Sequence, residues 1–427
     1  MVSFRKGLAF VLAATMLAAV GCGGKKAPEP TTTPGSGTNT PAPAAPKDPV
    51  KIQFWHGMAD DSAHGKVLKQ LVDKYNASQK EVIVEASYQG SYSDLEKKVT
   101  SALQTNNPPA VVQNTDSMLS SLVNQKAVIA LDGIVDAKEL ADFPAGLKKA
   151  QTIGGNLYAL PFNKSAIVLI YYPEFVPNPP KNWDEFKATA KAATSGTTRY
   201  GTAFAADVYY FGTHFGQTGA EWIKDGKANF AGAEGQQALQ LIVDMAKDGS
   251  AIQLKPKEYQ SDYFNQGRAA MIATTSASFA YIKPVDGKPW KVAPLYGGPK
   301  GEAVPLSGAN LSIVSGLSKE QQDAGVKFMT WLTGKEATLE WAMGKTGYGP
   351  VRKSALEDAR WKDFVKANPE YGVLGDALTK GVVQPSDSKW SAVQKEITTA
   401  VESALLGKQD VKTALEEAAT KANALLK

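Results

Sequence analysis

The segment from Pro161 to Phe186 constrains the fold more than any other part of this chain. Ser165 to Tyr172 is a run of strand length in which no polar residue follows the serine until the tyrosines at its end. Continuous apolar runs are typical of strands that are covered on both faces, whereas alternating runs leave one face in water. The run therefore predicts a buried strand in the interior of a sheet.

A rigid loop and a helix follow this strand. The loop contains four prolines between positions 173 and 180, which exclude both a helix and a central strand there. Asn182 is placed to accept hydrogen bonds from the first amides of a helix, and Glu185 completes a capping box three residues later. We therefore predict a helix that begins near Trp183.

The polar residues Asn163, Lys164 and Ser165 directly precede the buried strand. Polar side chains at such a position are well placed to contact a ligand. A plain buried strand with a polar lead-in explains them equally well, so other parts of the chain have to decide between the two interpretations.

The first part of the folded chain alternates strands and helices. Apolar patterns predict strands at Val50–Trp55, Glu81–Tyr88 and Ala110–Gln113, each followed by a helix with apolar residues at helical spacing. Such alternation predicts an α/β fold with an open, largely parallel sheet and right-handed connections. Ligands of these sheets bind beyond the carboxyl ends of the strands.

The residues at these strand ends are therefore candidates for ligand contacts: His56, Tyr88, Tyr92, Asn114 and Asp116. Each also has a structural explanation. His56 lacks a second ligand at metal spacing, so no metal site is predicted. Tyr92 is also suited to the start of a helix, and Asp116 is equally suited to cap the helix that begins near Met118.

The amino terminus has the features of a bacterial secretion signal. Arg5 and Lys6 precede an apolar run from Leu8 to Val20, which is too short to span a bilayer comfortably and ends in small residues before Cys22. This pattern resembles the lipobox of bacterial lipoproteins, with alanine at position 19 where leucine is commonest. We predict a signal peptide at 1–21 and lipidation of Cys22, which would anchor the protein in the lipid bilayer; a soluble secreted protein is the alternative.

Residues 22–48 then read as a tether, because they are rich in Pro, Thr, Ala and Gly and contain no large apolar residue. Cys22 is the only cysteine, so no intramolecular disulfide can form. Loss of Arg5 and Lys6 with the signal lowers the formal charge from +5 to +3, since residues 1–21 contain no acid. This weak, dispersed charge predicts no nucleic-acid partner.

Later segments supply further candidates. Tyr209 lies in an aromatic cluster at a predicted strand-to-helix junction, which is either part of the core, as such clusters usually are, or offers one ring for stacking on a ligand. Ser276 and Ser278 follow a predicted strand and open a helix, whose free amides favour oxygen-rich ligands. Gly308 lies in a predicted strand at 307–313, where glycine permits close backbone approach.

Several blocks, in this order and spacing, resemble the family of extracellular solute-binding proteins that feed ATP-driven importers, in the group of maltose-binding and glycerol-3-phosphate-binding proteins. The blocks are IQFWHGM (52–58), YQGSY (88–92), PFNKSAIVLIYY with PNPPKNWDEF, FNQGRAAMIATTSAS (264–278), SGANLSIVSG (307–316) and TGYGPVRKSA (346–355). The resemblance covers nearly all of the chain beyond the tether.

The resemblance implies a two-lobe α/β fold, the Venus-flytrap fold of periplasmic binding proteins, with a hinge that the chain crosses more than once. The first lobe is expected at 49–163 plus 296–346 and the second at 164–295 plus 347–427. The implied partners are a small solute and the permease subunits of an ABC importer. We expect a monomer without cofactors, on the outer face of the cytoplasmic membrane.

The resemblance also assigns roles to residues. It implies that YQGSY and Asp116 contact ligand from the first lobe, that Tyr209 stacks on it, and that Ser276 or Ser278, Ser165, Gly308 and Tyr348 contribute further contacts. Gln394 stands where the glycerol-3-phosphate binders place a phosphate-binding arginine, and an amide cannot supply that charge. Trp390 is either a stacking residue or part of a helix core. A sugar or polyol is therefore expected, with a glycerol phosphate as the alternative because Lys389 and Lys395 lie nearby in sequence.

No catalytic constellation accompanies these residues. A glycoside hydrolase needs two carboxylates that face one cleft, and only Asp116 qualifies. The histidines at 56, 64 and 214 form no Ser-His-Asp order, and the chain has no phosphate-binding P-loop. We therefore expect a binding protein and not an enzyme.

Overall fold

A computed structural model describes residues 48–255, 258–382, 384, 385, 387 and 389–427, except for the side chain at 380. The predicted signal peptide (1–21), the lipidation of Cys22 and nearly all of the predicted tether (22–48) lie outside the described residues, so they stay predictions.

The predicted alternation of strands and helices at the start of the folded chain is confirmed. The elements are β1 (Val50–His56), α1 (Ala63–Ser78), β2 (Val82–Tyr88), α2 (Tyr92–Gln104), β3 (Val111–Asn114) and α3 (Asp116–Asn124). Four short elements follow, namely α4 (Ala137–Ala141), α5 (Ala145–Lys149), β4 (Thr152–Ile153) and β5 (Asn156–Leu157). Strand β1 pairs in parallel with both β2 and β3, so their carboxyl ends lie at one edge.

The middle of the chain begins with the long strand β6 (Leu160–Tyr171). It continues with α6 (Trp183–Ala193), β7 (Tyr200–Phe204), α7 (Val208–Gly216), β8 (Ile223–Lys224), β9 (Lys227–Ala228), α8 (Ala233–Lys247), β10 (Ala251–Gln253), α9 (Gln260–Asn265), β11 (Ala269–Thr275) and β12 (Lys291–Ala293). A 3₁₀ helix at Ser276–Tyr281 follows β11.

The last part of the chain is mainly helical. It comprises β13 (Leu306–Ile313), α10 (Lys319–Leu332), α11 (Lys335–Met343), α12 (Lys353–Leu356), α13 (Ala359–Ala367), α14 (Leu374–Lys380), α15 (Trp390–Leu405) and α16 (Val411–Leu426), with a 3₁₀ helix at Pro369–Tyr371. Helices α15 and α16 pack on each other and on α8.

The predicted buried strand is confirmed but starts earlier. Strand β6 begins at Leu160, so the polar residues Asn163, Lys164 and Ser165 lie inside it and are themselves buried. Helix α6 begins at Trp183 as predicted, and the Asn182 side chain accepts a 2.9 Å hydrogen bond from the Glu185 amide. The Glu185 carboxylate accepts from the amide of Lys181 instead of that of Asn182, one residue earlier than in a capping box.

Within the described residues, the main sheet has nine strands, with the path β10-β7-β11-β6-β13-β3-β1-β2 and β12 paired to β6. We call β1, β2, β3, β13 and the start of β6 the first half-sheet, and the end of β6 with β7, β10, β11 and β12 the second half-sheet. The predicted parallel pairing is confirmed for β1 with β2 and β3, and β7 is parallel to β10 and β11. Strands β6 and β13 run antiparallel to their neighbours, so the sheet as a whole is mixed instead of largely parallel.

Strand β6 belongs to both half-sheets. Its residues 160–166 pair with β13, and its residues 167–171 pair with β11 and β12. The side chains along β6 are buried except for Ile167, which is half-buried at the changeover. Any site formed where the two half-sheets meet is therefore positioned by the middle of this strand.

Candidate ligand-binding cleft

A cleft of about 170 Å³ lies where β6 passes from one half-sheet to the other. Residues from strands of both half-sheets, or from the segments that adjoin them, line this cleft. They are Tyr92, Thr115, Asp116, Ser117, Ser165, Tyr209, Thr275, Ala277, Leu306, Ser307, Gly308, Tyr348 and Gln384. The volume is below the roughly 300–1,000 Å³ of sites for drug-sized ligands. The cleft therefore suits a small solute.

The floor of the cleft, defined as Asp116, Lys164, Gln151 and Asn310, is a buried polar network around one carboxylate. Asp116 Oδ1 accepts hydrogen bonds from Asn310 Nδ2 at 2.8 Å, Gln151 Nε2 at 3.1 Å and Lys164 Nζ at 3.1 Å. The Lys164 side chain is 2% exposed and that of Asp116 is 15% exposed. All these bonds use Oδ1, and Oδ2 has no hydrogen-bond partner among the described residues, so it is free to accept from a ligand.

The alternative role of Asp116 as a helix cap is wrong. The N-cap of α3 is Thr115, whose hydroxyl accepts from the Met118 amide, and Asp116 occupies the first turn of the helix. Because the neighbouring threonine satisfies this amide, the carboxylate of Asp116 remains available in the cleft. The helix terminus also places its positive end beside that carboxylate.

Two amide side chains hold the hydroxyl group of Tyr92 in position. Asn163 Nδ2 and Gln113 Nε2 donate to the Tyr92 hydroxyl at 3.3 and 3.4 Å, and Gln113 Nε2 also donates to Asn163 Oδ1 at 2.9 Å. Burial raises the pKa of Tyr92 to about 12 and raises that of Tyr348 further. Both phenols are therefore neutral at physiological pH and can donate to an acceptor on the ligand.

Gly308 brings two backbones close together beside the cleft. Its φ of +101° is unfavourable for residues with a side chain, and a Cβ atom there would lie 1.9 Å from the carbonyl oxygen of Asn163. The predicted need for glycine is confirmed. The close approach is to β6 itself, across the pairing of β13 and β6.

The opposite side of the cleft is formed by hydroxyl and aromatic side chains. Thr275 Oγ1 donates to Ser165 Oγ at 2.8 Å. Tyr209 lies near the start of α7 and is 50% exposed. We define the rim as three exposed tyrosines: Tyr209, which lines the cleft, and Tyr259 and Tyr281, which line the neighbouring pocket and not the cleft.

The structure brings together six of the predicted site residues, because all of them line the cleft. They are Tyr92, Asp116, Ser165, Tyr209, Gly308 and Tyr348. Tyr92, Asp116 and Tyr209 follow β2, β3 and β7, as the strand-end rule anticipates, whereas Ser165 and Gly308 lie inside β6 and β13.

Four other predicted residues are buried beside the cleft and do not line it. His56 accepts from the Met58 amide, and burial lowers its pKa to about 4. Asn114 donates to Ser312 Oγ at 2.9 Å, and Ser276 Oγ accepts from the Ala166 amide. Trp390 packs in the helical core of the second half and donates to Gln384 Oε1, so the alternative of a core residue is the one observed.

The remaining predicted residues lie at other places. Tyr88 is at the end of β2, at the edge of the sheet, and is not part of the cleft lining. Ser278 lines a neighbouring pocket. Gln394 donates to Gln384 Oε1 at 2.6 Å, so its amide orients a cleft residue.

Sequence reasoning missed several residues of the cleft. Gln384 lies in a loop without periodicity, and Gln151 and Asn310 carry no local pattern. For Lys164, already a candidate from its place before the buried strand, the missed feature is its ion pair, which a lysine next to an apolar strand signals because lysine is rarely buried without a partner. Its partner, Asp116, is 48 residues away in sequence.

Charge is scarce in the cleft. Among the lining residues that the structure describes, Asp116 is the one with a charged side chain, and Lys164 is engaged beneath it. A dianionic ligand would therefore meet a carboxylate without a lining cation to balance it. The arrangement of a carboxylate, hydroxyls, an amide and tyrosines suits a neutral ligand with many hydroxyl groups.

The described residues contain no group of three or more His, Cys, Asp or Glu side chains placed to hold a metal ion. No helix among them has both the length and the apolar character needed to cross a membrane.

Known sequences that are similar to this chain are those of solute-binding proteins. A sequence profile described as "Bacterial extracellular solute-binding protein" matches residues 70–372. The sn-glycerol-3-phosphate-binding periplasmic protein UgpB of Brucella melitensis biotype 1 is 26% identical over 418 residues, which cover 88% of this chain and 93% of that protein. The protein of the same name from Rhizobium meliloti is 25% identical, with 88% and 94% covered.

Solved structures share the architecture. The cyclic alpha-maltosyl-1,6-maltose binding protein from Arthrobacter globiformis superposes with a TM-score of 0.79 at 22% identity, covering 88% of this chain and 99% of that one. UgpB from Mycobacterium tuberculosis in complex with glycerophosphocholine gives a TM-score of 0.79 at 22% identity, covering 89% and 99%. At these identities the similarity establishes the fold.

Proposed function

The chain belongs to the family of bacterial extracellular solute-binding proteins, and we propose that its solute is a sugar or polyol that it delivers to the permease subunits of an ABC importer. Its fold is the two-lobe α/β fold of periplasmic binding proteins. The family consists of solute-binding proteins that act outside the cytoplasm, and we propose that this member has no catalytic activity.

One observation carries the choice of solute. Asp116 presents a carboxylate oxygen that has no partner among the described residues, while its other oxygen is held by three donors. Carboxylates accept hydrogen bonds strongly from hydroxyl groups. Together with the absence of a cation among the described lining residues, this favours a neutral polyhydroxylated ligand over an anionic one.

Binding is proposed to close the two lobes, which we place at 49–163 plus 296–346 and at 164–295 plus 347–427. Asp116 and Tyr92 would contact the solute from the first lobe, and Tyr209 and Thr275 from the second. A ligand favours the closed form only if it binds that form more tightly than the open one. Contacts from both lobes supply that difference, and the closed form is what the permease would recognise.

A glycerol phosphate or glycerophosphodiester is the second candidate. Relatives named for sn-glycerol 3-phosphate support it, as does a structural neighbour solved with glycerophosphocholine. The position that resembles their phosphate-binding arginine is Gln394, which here bonds Gln384. The sugar or polyol is favoured because an amide at that position provides no positive charge.

The test is a thermal-stability screen against sugars, polyols and glycerol phosphates, followed by calorimetric titration of the hits. A solute at one hundred times its dissociation constant should stabilise the protein by about 2.7 kcal/mol. Asp116→Asn should weaken binding of a neutral sugar about tenfold or more, because the amide loses a charge-assisted acceptor. Asp73→Asn, in the exposed pair with Lys69, is the control.

Two outcomes would contradict the proposal. If glycerol phosphates bind and no sugar or polyol does, the second candidate replaces the first. If Asp116→Asn binds sugar as tightly as the Asp73→Asn control, Asp116 is not the acceptor that we propose.

We also propose a monomer that is anchored by lipid on Cys22 to the outer face of the cytoplasmic membrane. Two acyl chains give stable anchoring where one does not. Cys22→Ala should move the protein from the membrane fraction to the soluble fraction. Membrane retention of this variant would contradict the anchor.

A further inference from the structure

The side chain of Gln384 lines the cleft and is bonded by two residues of helix α15. Its Oε1 accepts hydrogen bonds from Trp390 Nε1 at 2.9 Å and from Gln394 Nε2 at 2.6 Å. Trp390 and Gln394 are four residues apart in α15, so both donors lie on one face of that helix. Two bonds to one oxygen restrict the rotation of the Gln384 amide.

The indole group of Trp390 determines which atom of Gln384 it contacts. An indole nitrogen only donates, whereas a side-chain amide has an oxygen that accepts and a nitrogen that donates. The atom of Gln384 that faces Trp390 is therefore its oxygen, because the reversed amide would place two donors against each other. The orientation of the Gln384 amide thus follows from the chemistry of its partner.

Trp390 is a rigid partner for this bond. Its side chain is fully buried, in the hydrophobic core that also contains residues of α7 and α8. Its ring centroid lies 5.2 Å from that of Trp222, in an edge arrangement. A buried indole N–H needs an acceptor. Rotation of Gln384 would leave this group without one among the described residues, so the bond opposes that rotation.

The nitrogen of the Gln384 side chain remains available to a solute. Within the described part of the chain, Gln384 Nε2 has no hydrogen-bond acceptor, although the amide lines the cleft. Because the oxygen is engaged, the amide can offer only its N–H donors to a solute. Asp116 Oδ2 offers the opposite capacity, since a carboxylate only accepts. The cleft therefore has one oriented donor and one oriented acceptor.

Gln394 acts on the cleft indirectly. It is absent from the cleft lining, and its described side-chain hydrogen bond is the one to Gln384 Oε1. The arginine that relatives resemble at this position would supply a positive charge, whereas the amide of Gln394 orients a second amide. The difference at this position changes the kind of selection from charge to hydrogen-bond direction.

We propose that Trp390 and Gln394 are positioning residues that hold Gln384 as a hydrogen-bond donor, and that Gln384 donates to the oxygen of one hydroxyl group of the solute. This inference rests on the proposed function and specifies it further. The solute donates to Asp116 with one hydroxyl group and accepts from Gln384 with another. A site built to bond a hydroxyl group rejects an analogue without it, because its own polar group is then left unpaired.

The first test is calorimetric titration with D-glucose, D-galactose, D-mannose, glycerol and sn-glycerol 3-phosphate. Gln384→Met keeps the length of the side chain and removes the amide. It should weaken binding of the tightest neutral compound about tenfold. Gln384→Glu, which also lacks the N–H donors, should bind no better than Gln384→Met. Gln240→Met, at an exposed position of α8, is the control and should bind normally.

Deoxygenated probes show whether the contact is direct. Each monodeoxy derivative of the tightest neutral compound is titrated against the wild type and Gln384→Met. For one hydroxyl position, its removal should cost about tenfold in the wild type and less than twofold in the variant, because the variant has lost the donor. For the other positions the two proteins should lose affinity equally.

The positioning residues are tested with and without a solute. Trp390→Phe retains a ring in the core and removes the N–H group, and Gln394→Met removes the second donor. Each should weaken binding about threefold, and neither should add to the loss of Gln384→Met, since both act through Gln384. In NMR spectra of the solute-free protein, the Trp390 indole proton should move upfield in Gln384→Met as its hydrogen bond is lost. Trp390→Phe identifies that resonance by its absence.

The outcomes separate this proposal from the proposed function. Unchanged affinity in Gln384→Met, or equal deoxygenation losses in both proteins at every position, overturns the contact and leaves the sugar or polyol function in place. An indole resonance that does not move in Gln384→Met overturns the positioning by Trp390. Binding of glycerol 3-phosphate alone, or of none of these compounds, overturns both the choice of solute and the contact.

Discussion

The floor of the cleft and its tyrosine rim differ in how firmly the protein holds their side chains. In the floor, Lys164 is buried and Asp116 is 15% exposed, and the two are joined to each other and to two amides. In the rim, Tyr209 and Tyr259 are at least half exposed. A fixed floor imposes the orientation of a ligand, whereas a loosely held rim adds contact area and can be changed without disturbing the fold.

This comparison predicts that changes in the floor reduce stability and that changes in the rim reduce affinity. The predictions below run from the largest expected effect to the smallest.

Lys164→Met should lower the free energy of unfolding by about 3 kcal/mol, because the Asp116 carboxylate, which is only 15% exposed, loses its cation. Urea denaturation followed by circular dichroism measures the loss. Lys69→Met, which breaks the exposed pair with Asp73, should cost less than about 1 kcal/mol. The double variant Lys164→Met/Asp116→Asn should recover part of the stability. If Lys164→Met loses no more stability than Lys69→Met, the floor is not held more firmly than the surface, and its contrast with the rim fails.

Gly308→Ala should cost about 2–3 kcal/mol, because a Cβ atom collides with the Asn163 carbonyl and φ is positive. Gly301→Ala is a matched control, since its φ is +98° and nothing lies within 4 Å of its added Cβ atom. The control isolates the cost of the backbone angle, and denaturant midpoints measure both. Equal losses would show that the close approach to β6 contributes nothing.

Low pH should lower the stability of the region around α7, which carries the rim residue Tyr209, because it protonates His214. This residue lies on α7 with Tyr209, and burial lowers its pKa to about 4. Its ring nitrogens bond the Tyr210 carbonyl oxygen and the Tyr296 hydroxyl, an arrangement that fits the neutral ring.

The sign of the pH effect follows from where the proton binds. The unfolded chain takes up the proton near pH 6.5 and the folded chain near pH 4, so stability is full above pH 6.5 and falls as the pH decreases between these values. His214 alone should contribute a loss of about 2 kcal/mol from pH 7 to pH 5. Denaturation of His214→Gln at both values should give a pH dependence smaller by that amount. An unchanged dependence would contradict the assignment.

Tyr209→Ala should lower solute affinity about tenfold and change the free energy of unfolding by less than about 0.5 kcal/mol, because the side chain is half exposed. Titration with the solute identified in the screen and denaturation of the same variant give the two values. Tyr209→Phe should bind almost normally. A large loss of stability would place Tyr209 with the floor instead of the rim.

Much of the fold was predictable because its signals are local. The alternation from β1 to α3, the buried run in β6 and the cap at Asn182 are each encoded by neighbouring residues. The direction of strands was not predictable in this way. Strands β6 and β13 run antiparallel to partners that are far away in sequence, and local periodicity carries no information on that direction.

The residues of the site also fall into two groups, those with a local sequence signal and those without one. Asp116, Tyr92 and Ser165 follow from strand ends or from the buried strand, but Gln151, Asn310 and Gln384 join the site only through tertiary structure. Trp390 illustrates the converse error, because a tryptophan at helical spacing serves core and stacking roles equally well in sequence. Its position in the core is decided by α7 and α15 packing together.

Strand β6 has a consequence for how such a protein can be recombined. Because one strand supplies hydrogen bonds to both half-sheets, neither half contains all of its own backbone partners when cut at the changeover. A chimera that exchanges one lobe with a relative must therefore carry β6 intact and match both of its neighbours.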